Sequence, residues 1–438
     1  MKFLSFLCVV LTLGLAAGAQ DSTSIHVVKA ARLIDTKNGR VVDNPIVVIN
    51  GDRIQAVGRS GEVSIPSGSR VLDLGSATLL PGLIDLHTHL NDEPEFHGVA
   101  FHTLSAARMA IIGAKGARMT LDVGFTAVRN VGSSHYADVA LRDGINAGDV
   151  PGPRMQVSGP MIGSTGSHCD YTYLAPEFHY ADDGVANGVA AVQKKVREVL
   201  KYGADWVKFC ASGGVFSQGD LPDDVQFSPE EMVAIVEEGH RHGKKVAAHA
   251  HGTRAIIEAV KAGVDTIEHG SVLDDEAIRL MKQHGTYLVA DIYDDDFILQ
   301  HGKEYGYTDE NLTKEKMLGQ KQRDSFRRAV QAGVKVGFGT DTGSIPFGQN
   351  GKQFFYMVKY GLTPMQAIQS ATTWAADVMS WSDRIGSLDP GKYADLIAVT
   401  GNPLDDITIL EHVPFVMKGG KVVKDELSAS CDSSTSKK

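Results

Sequence analysis

Six side chains of the types that bind metal ions occur at the ends of apolar, strand-like segments of this sequence. They are His87, His89, Lys208, His249, His269 and Asp341. Each stands where a short apolar run gives way to a glycine-rich or polar loop, the position where parallel barrels place their active-site residues. We therefore expect the six side chains to converge on one centre that could hold divalent metal ions.

Each of these residues also has a purely structural interpretation when it is taken alone. His87 and His89 share one side of a strand, which suits one metal ion, but an isolated HxH pair is weak evidence. Lys208 would face the interior, where an unpaired ammonium is costly and a salt bridge is the usual solution. Asp341 could be a helix N-cap. The metal-binding interpretation explains all of them together, whereas the structural one needs a separate coincidence at each strand end.

The segments between these residues alternate helical and strand-like patterns. The helical stretch SPEEMVAIVEEGHRHG precedes the strand KVAAHA, and the stretch TRAIIEAVKAG precedes VDTIEHG. Ser228 before Pro229 is typical of a helix N-cap, while Gly243 and Gly263 are typical helix stops. Repeated units of this length indicate a parallel sheet. We predict an α/β fold in which residues 81–384 form a (β/α)8 TIM-type barrel, because ligand-type residues on many successive strand ends then share one centre.

Both ends of the chain carry short β segments separated by turns. The first part contains HVVKAARLID and VVDNPIVVINGDRIQAVG, and the last part contains IGSLDPGKYADLIAV and PFVMKGGKVVK. We predict that residues 20–80 and 385–426 together build one β-sandwich beside the barrel. Residues 427–438 are small and polar, and we expect them to form a disordered tail.

The first residues have the pattern of a secretory signal peptide. Lys2 precedes an apolar run that is shorter than the ~20 residues a membrane-spanning helix needs. Ala17 and Ala19 supply the small residues of a cleavage site. We expect residues 1–19 to be removed and the mature protein to be secreted or periplasmic, without membrane association after cleavage. The net charge of −10 argues against a nucleic-acid partner.

Three cysteines follow the signal peptide, namely Cys169, Cys210 and Cys431. They are too few for a disulfide framework, so packing must hold the fold together. A bridge between Cys169 and Cys210 is one alternative, because both lie beside candidate site residues. Buried free thiols are the other alternative.

Several motifs occur together in an order that is typical of one protein family. They are LPGLIDLHTH, VKFCASGG, VAAHAHG, IEHG and GTDT, and RNVGSS is a further match to one branch of that family. With these motifs, nearly all of the mature sequence resembles the metal-dependent amidohydrolase superfamily. Within it, the sequence is most similar to the imidazolonepropionase-like branch, which includes Xaa-Pro dipeptidases, secreted carboxypeptidases and ochratoxin-hydrolysing amidohydrolases. The resemblance implies two divalent metal ions, usually zinc, and an N6-carboxylysine formed by adding carbon dioxide to Lys208.

The resemblance also implies roles for individual residues. His87, His89 and Asp341 would hold the more buried ion, His249 and His269 would hold the more exposed ion, and Lys208 would bridge the two. His251, on the same face as His249, would then be left as a substrate contact or a support for the ligands. Asp341 would also act in catalysis, taking a proton from the attacking water and passing it to the leaving amine.

Two further residues are candidates for substrate recognition, although either could be an ordinary polar loop residue. His168, in the TGSHCD loop, matches a position that the dipeptidase branch uses near the free carboxylate of its substrate. Tyr293, in ADIYDDD, lies near the predicted end of the seventh barrel strand. The implied partner is a small molecule with an amide bond and a free carboxylate. No acidic pair dedicated to a cationic side chain is evident, which favours an apolar leaving residue.

The implied activity is therefore release of a C-terminal amino acid from dipeptides, N-acyl amino acids or ochratoxin-like amides. A hydrolase of cyclic amides or lactones is an alternative that needs no carboxylate anchor. A catalytically silent barrel used for binding is the alternative outside enzymes. Homo-oligomerisation is an expectation from the family, although no segment of the sequence demonstrates it.

Overall fold

The computed structural model describes residues 25–427, and this part of the chain starts with seven short strands. They are β1 (Ile25–Lys29), β2 (Arg32–Asp35), β3 (Arg40–Asp43), β4 (Pro45–Asn50), β5 (Arg53–Arg59), β6 (Arg70–Asp73) and β7 (Thr78–Pro81). The expected signal peptide at residues 1–19 and residues 428–438 of the expected tail lie outside the described residues.

Eight parallel strands follow and close into a barrel. They are β8 (Leu83–Thr88), β9 (Phe125–Asn130), β10 (Arg154–Val157), β11 (Trp206–Cys210), β12 (Lys245–Ala250), β13 (Thr266–His269), β14 (Tyr287–Ala290) and β15 (Val336–Phe338). Parallel pairing joins β8, β9 and β10 in that order, and it joins β11, β12, β13, β14 and β15 in that order. Two joints complete the ring: Ile162 N donates to Lys208 O at 2.8 Å, and His89 N donates to Thr342 O at 2.6 Å. The predicted (β/α)8 barrel is confirmed.

Helices alternate with the barrel strands and pack against them. They are α1 (Ala106–Asp122), α2 (Ala137–Ala147), α3 (Val189–Lys201), α4 (Pro229–Arg241), α5 (Thr253–Ala262), α6 (Asp275–His284), α7 (Asp294–His301), α8 (Asp309–Ala332), α9 (Gln353–Lys359), α10 (Pro364–Ser370) and α11 (Thr373–Val378). Among residues 25–427, no helix combines the length and the apolarity that crossing a membrane requires.

The helix boundaries follow from the local sequence. The Ser228 side chain accepts a hydrogen bond from Glu231 N, and the Glu231 side chain accepts one from Ser228 N, so α4 begins with a full capping box. Helix α5 ends at Ala262, and the next residue, the C-cap Gly263, has a φ of 98°. Glycine adopts this left-handed conformation without the steric penalty that other residues meet. The predicted N-cap and helix stop are confirmed at these positions.

The last three strands return to the first ones and complete a β-sandwich. They are β16 (Leu396–Val399), β17 (Phe415–Lys418) and β18 (Lys421–Asp425). The two sheets have the strand orders β5-β4-β1-β6 and β18-β17-β16-β7-β2-β3, with Ile397 of β16 opposite Leu80 of β7. Facing side chains such as Val47, Leu79 and Phe415 form a core separate from that of the barrel. The predicted sandwich built from both ends is confirmed.

Side-chain alternation along β11 separates the apolar core from the barrel centre. Val207 and Phe209 pack in the same apolar cluster as Val196 of α3 and Ile235 of α4. Lys208, between them, points the opposite way and lines the central cavity. The two-residue period of a strand therefore places a lysine inside the barrel while its neighbours hold the helices.

Candidate functional site

Two histidines at the carboxyl end of β8 approach Asp341, which follows β15, the strand next to β8 in the ring. His87 lies in the strand and His89 just beyond its end, and the Nε2 atom of each lies 3.3 Å from Asp341 Oδ1. One potential ligand atom from each of the three residues lies within 4.8 Å of the others. Two imidazole nitrogens and a carboxylate oxygen at this spacing can hold one metal ion.

A second group of histidines comes from the next part of the ring. His249 and His251 at the end of β12 and His269 at the end of β13 bring ring nitrogens within 4.8 Å of one another. His249 Nε2 lies 3.2 Å from Gly213 O, and His251 Nδ1 lies 2.6 Å from Ser271 Oγ. The group offers three imidazoles where two were expected as ligands. The preference for His249 over His251 therefore stays a prediction.

Lys208 lines the same cavity as both groups and is only 2% exposed. Burial lowers the pKa of its amine to about 8, although the carboxylate of Glu268 opposes this shift. A buried lysine with a lowered pKa is more often uncharged, and the uncharged amine is the form that reacts with carbon dioxide.

Two of the candidate ligands have a left-handed backbone conformation. His269 has a φ of 67° and Asp341 a φ of 52°. Residues with a Cβ atom pay about 1–3 kcal/mol for such a conformation, and they cluster at functional sites where the surrounding structure enforces it. The backbone thus supports a functional role for these two strand ends.

A buried ion pair supports His87 from inside the barrel. Arg129 and Glu268 are both 0% exposed. Arg129 Nη2 donates to both carboxylate oxygens of Glu268 at 2.8 Å, and Arg129 Nε donates to Leu86 O at 2.6 Å. Glu268 Oε2 lies 3.1 Å from His87 Nδ1. A carboxylate at Nδ1 directs the other ring nitrogen toward the metal position.

A second support holds His269. Its Nδ1 atom lies 2.7 Å from Asp291 Oδ2, and Gln322 Nε2 donates to Asp291 Oδ1 at 2.7 Å. Arg129, Glu268 and Asp291 are not among the site residues that the sequence predicts. The sequence feature that could have identified them is a charged residue within or at the end of an apolar run, in TAVRN, DTIEH and YLVAD.

Burial keeps most of the site histidines neutral, which is the form that binds metal. It lowers the pKa of His89 to about 4 and the pKa values of His249 and His251 well below the usual range. His87 differs: burial and Lys208 oppose its charge, but the adjacent carboxylates raise its pKa to about 9. Carboxylates that stabilise a proton on His87 would also stabilise a metal cation there.

These residues open into one cavity at the carboxyl end of the barrel, with a volume of about 230 Å³. The six candidate metal ligands line it together with His168 and His251. Tyr293 does not line it: its hydroxyl donates to Gln349 Oε1 at 2.6 Å, and it borders a separate cavity together with Lys352. This position lends no support to Tyr293 as a substrate contact, and that role stays a prediction.

His168 lies directly against the second histidine group. Its ring stacks on His249 with centroids 4.3 Å apart and an interplanar angle of 16°. Its Nδ1 atom lies 3.0 Å from Ser217 Oγ, which donates to Asp220 Oδ1 at 2.7 Å. Gly214 permits this position, because a Cβ atom there would lie 2.3 Å from His168 Cε1. Burial lowers the pKa of His168 to about 4.

Acidic side chains that the sequence does not predict as site residues also line the cavity. They are Asp92, Glu93, Asp170, Asp182, Asp294, Asp295 and Glu315, besides Asp341. Burial raises the pKa of Asp92 to about 8 and those of Asp294 and Asp295 well above the usual range. The sequence favours an apolar leaving residue only because it shows no acidic pair that could bind a cationic side chain. The acidic lining of the cavity removes the basis of that prediction.

A disulfide bond joins Cys169 to Cys210, whose Cα atoms lie 5.9 Å apart. This separation is within the ordinary range for a disulfide. Of the two alternatives that the sequence left open, the structure has the bridge. It connects the residue after His168 to the last residue of β11.

Residues 78–423 match the sequence model of the amidohydrolase family. The ochratoxinase of Aspergillus niger is 33% identical over 443 residues, covering 94% of this chain and 89% of that protein. A crystal structure of a Xaa-Pro dipeptidase with methionine bound in the active site is 38% identical, with a TM-score of 0.83 over 91% of this chain and 99% of that one. A crystal structure of a prolidase complexed with N-methylphosphonate-L-proline is 32% identical, with a TM-score of 0.84 over 92% of this chain and 100% of that one. The chain therefore belongs to the amidohydrolase family and is a hydrolase that acts on amide bonds.

Proposed function

We propose that this protein is a binuclear metal-dependent hydrolase that releases the C-terminal amino acid from dipeptides, N-acyl amino acids or ochratoxin-like amides. One observation carries the proposal: two histidine-containing groups and buried Lys208 converge at the carboxyl end of one barrel. Two ligand groups in one cavity, with a lysine that can become anionic, suit a pair of ions better than a single one.

The donor set fits two divalent ions. His87, His89 and Asp341 would hold the more buried ion, and His249 and His269 the more exposed one. Asp341 Oδ1 is buried, and the Nε2 atoms of His87 and His89 lie 3.3 Å from it, as expected of three atoms that share one cation. Mixed imidazole and carboxylate ligands favour zinc. The bound ions would lower the pKa of water and polarise the scissile carbonyl.

Lys208 would bridge the ions as N6-carboxylysine. The carbamate converts a costly buried ammonium into an anionic ligand with two oxygen atoms. The lowered pKa of Lys208 supports this reaction, because it increases the share of neutral amine near neutral pH.

Asp341 would be the catalytic proton carrier. Its carboxylate would accept the proton of the attacking water and deliver it to the nitrogen of the leaving amine. The left-handed backbone of Asp341 and its contacts with His87 and His89 support a fixed position for this transfer.

His168 would bind the carboxylate of the leaving amino acid in its protonated form, which that carboxylate and the nearby Asp220 would stabilise. His251 would contact the substrate from the adjacent strand end. The stacking of His168 on His249 places the anchor next to the proposed metal ligands. Methionine and the substituted L-proline, the ligands named for the two related crystal structures, each carry an amino-acid carboxylate. This shared group supports a carboxylate anchor in the same region.

The decisive experiment measures metal content and compares N-acyl amino acids with their C-terminal amides. We expect two ions per chain, and hydrolysis of the free acids with kcat/KM about tenfold to a hundredfold above that of the amides, because a charge-assisted hydrogen bond is lost in the amides. His168→Ala should remove this preference. Equal hydrolysis of acids and amides, or activity confined to cyclic amides or lactones, would point to the cyclic-amide alternative. Metal-loaded protein without any turnover would point to a binding protein.

We further propose that the mature protein is secreted or periplasmic after loss of residues 1–19, and that it forms a homo-oligomer. Residues 20–80 and 385–426 would act as one sandwich domain beside the barrel of residues 81–384. Mass spectrometry of the protein recovered from its native host tests the first statement, and light scattering tests the second.

A further inference from the structure

One wall of the cavity is a long segment with little regular structure. Between the end of β10 at Val157 and the start of α3 at Val189, the only helical turn is the short Pro176–Phe178. We call residues 158–188 the cavity wall. Nine of its residues line the cavity, among them His168 and Cys169. A segment of this length keeps a defined shape only where it is anchored.

The wall is anchored to β11 at two places. Near its start, Ile162 N donates to Lys208 O at 2.8 Å, and Cys210 N donates to Ile162 O at 3.0 Å. Further along, the Cys169–Cys210 disulfide ties the wall to the end of the same strand. Cys169 is 5% exposed and Cys210 is 0% exposed. The covalent anchor therefore joins the neighbour of His168 to the strand that carries Lys208.

His168 has no covalent tie of its own, and its direct anchors are hydrogen bonds. Its backbone N donates to Gln226 Oε1 at 2.9 Å, and its ring lies 3.0 Å from Ser217 Oγ. Each of these hydrogen bonds contributes only a small net free energy to stability. The disulfide is covalent, and it restricts the conformations open to the wall.

We propose that the Cys169–Cys210 disulfide is a positioning element that holds the cavity wall on β11 and keeps His168 stacked on His249. The two cysteines would act through His168 and would not touch the reacting atoms. The inference deepens the proposed function, because it rests on the binding of the substrate carboxylate by His168. It also makes full substrate affinity depend on an oxidising compartment, where a disulfide persists.

The test compares the wild type with the double variant Cys169→Ser/Cys210→Ser, and uses Cys431→Ser as the matched control. For an N-acyl amino acid, we expect KM of the double variant to rise about tenfold, the factor expected when one charge-assisted hydrogen bond is weakened. Its kcat and metal content should stay at the wild-type level, as should its KM for the corresponding C-terminal amide. The control should behave like the wild type throughout.

Three results would overturn the inference. They are an unchanged KM for the acid, an equal rise in KM for acid and amide, and a loss of metal that accompanies a fall in kcat. If the double variant does not fold, the folded wild type treated with a phosphine reductant takes its place, with metal content measured after treatment.

Hydrogen exchange gives a readout that does not depend on turnover. Faster exchange confined to residues 158–188, with β12 and β13 unchanged, supports the positioning role even if no amide substrate is hydrolysed. Unchanged exchange in residues 158–188 overturns it. Failure of the wild type to hydrolyse either substrate would count against the proposed function alone, so the two failures are distinguishable.

Discussion

At the scale of single residues, the site combines strained backbone with buried charge. The positive φ angles of His269 and Asp341 cost free energy that packing elsewhere must offset. Glu268 is buried, which by itself would raise its pKa, but Arg129 and His87 hold that pKa well below the usual range. The barrel interior therefore contains a permanent carboxylate directly behind a candidate metal ligand.

The variant Asp341→Asn tests the proton carrier. We expect kcat to fall by about 10²- to 10⁴-fold, since an amide cannot accept the proton of water. Metal content should largely persist, because the side-chain oxygen and the neighbouring histidines remain. Steady-state kinetics and elemental analysis of the same preparation measure both quantities. Near-native kcat in a fully loaded variant would remove the catalytic role.

The variant Glu268→Gln tests the support behind His87. The buried guanidinium of Arg129 would lose its charge partner, so we expect the free energy of unfolding to fall by about 3–5 kcal/mol. Metal affinity should fall about 10- to 100-fold, because the orientation of His87 is no longer enforced. Denaturant unfolding and metal titration measure the two effects. Glu276→Gln, which alters an exposed ion pair with Arg279, is the matched control and should change neither.

At the scale of elements, helix starts and loops carry much of the buried polarity around the site. Asp138 lies in the first turn of α2, and its carboxylate accepts hydrogen bonds from Val139 N at 2.8 Å and Gly159 N at 3.0 Å. It therefore joins α2 to the cavity wall. Burial outweighs these hydrogen bonds and raises the pKa of Asp138 to about 6.

This raised pKa predicts a pH dependence of stability. The folded protein holds the Asp138 proton more tightly than the unfolded chain, whose ordinary aspartate pKa is 3.8. The stabilisation is therefore complete below pH 3.8 and is lost as the pH rises through about 6. Relative to Asp138→Asn, the wild type should lose about 3 kcal/mol of unfolding free energy over this window. Denaturant unfolding of both proteins at several pH values checks the sign, and a constant difference would contradict it.

At the scale of the whole molecule, a charged joint connects the sandwich to the start of β10. Arg154 Nε donates to Asp395 Oδ2 at 2.7 Å, and Arg154 Nη2 donates to Asp395 Oδ1 at 3.1 Å. The Arg154 guanidinium also lies 3.5 Å from the centroid of the Tyr393 ring, with Arg53 at 3.6 Å from the same centroid. The joint lies at the amino end of the barrel strand, opposite the active-site end, where contacts serve stability.

The variant Asp395→Asn should therefore separate stability from activity. We expect the free energy of unfolding to fall by about 2–3 kcal/mol, because a largely buried arginine loses its bidentate partner. The kcat value should stay at the wild-type level, since the joint does not reach the cavity. Asp389→Asn, which alters a more exposed pair with Lys37, is the control and should have little effect. A large fall in kcat at unchanged stability would contradict this division.

The sequence by itself determined the barrel, the shared sandwich and the set of six metal-type residues. These features depend on local periodicity, on turn residues such as Gly263, and on the position of His87 or Asp341 relative to its own strand. The structure brings all six residues into one cavity, as parallel strand ends in a closed ring must do. Their roles as ligands remain predictions for the metal analysis to test.

Only the tertiary structure decided which remote segments meet. Arg129 and Glu268 lie 139 positions apart, and no local pattern pairs them behind His87. The same holds for the Cys169–Cys210 bridge and for the acidic lining that several loops contribute. Tyr293 follows a strand end as expected, yet its side chain turns to another cavity, because a loop is free to leave the direction of its strand. Residue type and spacing specify the strand ends, whereas long-range packing decides what each loop side chain contacts.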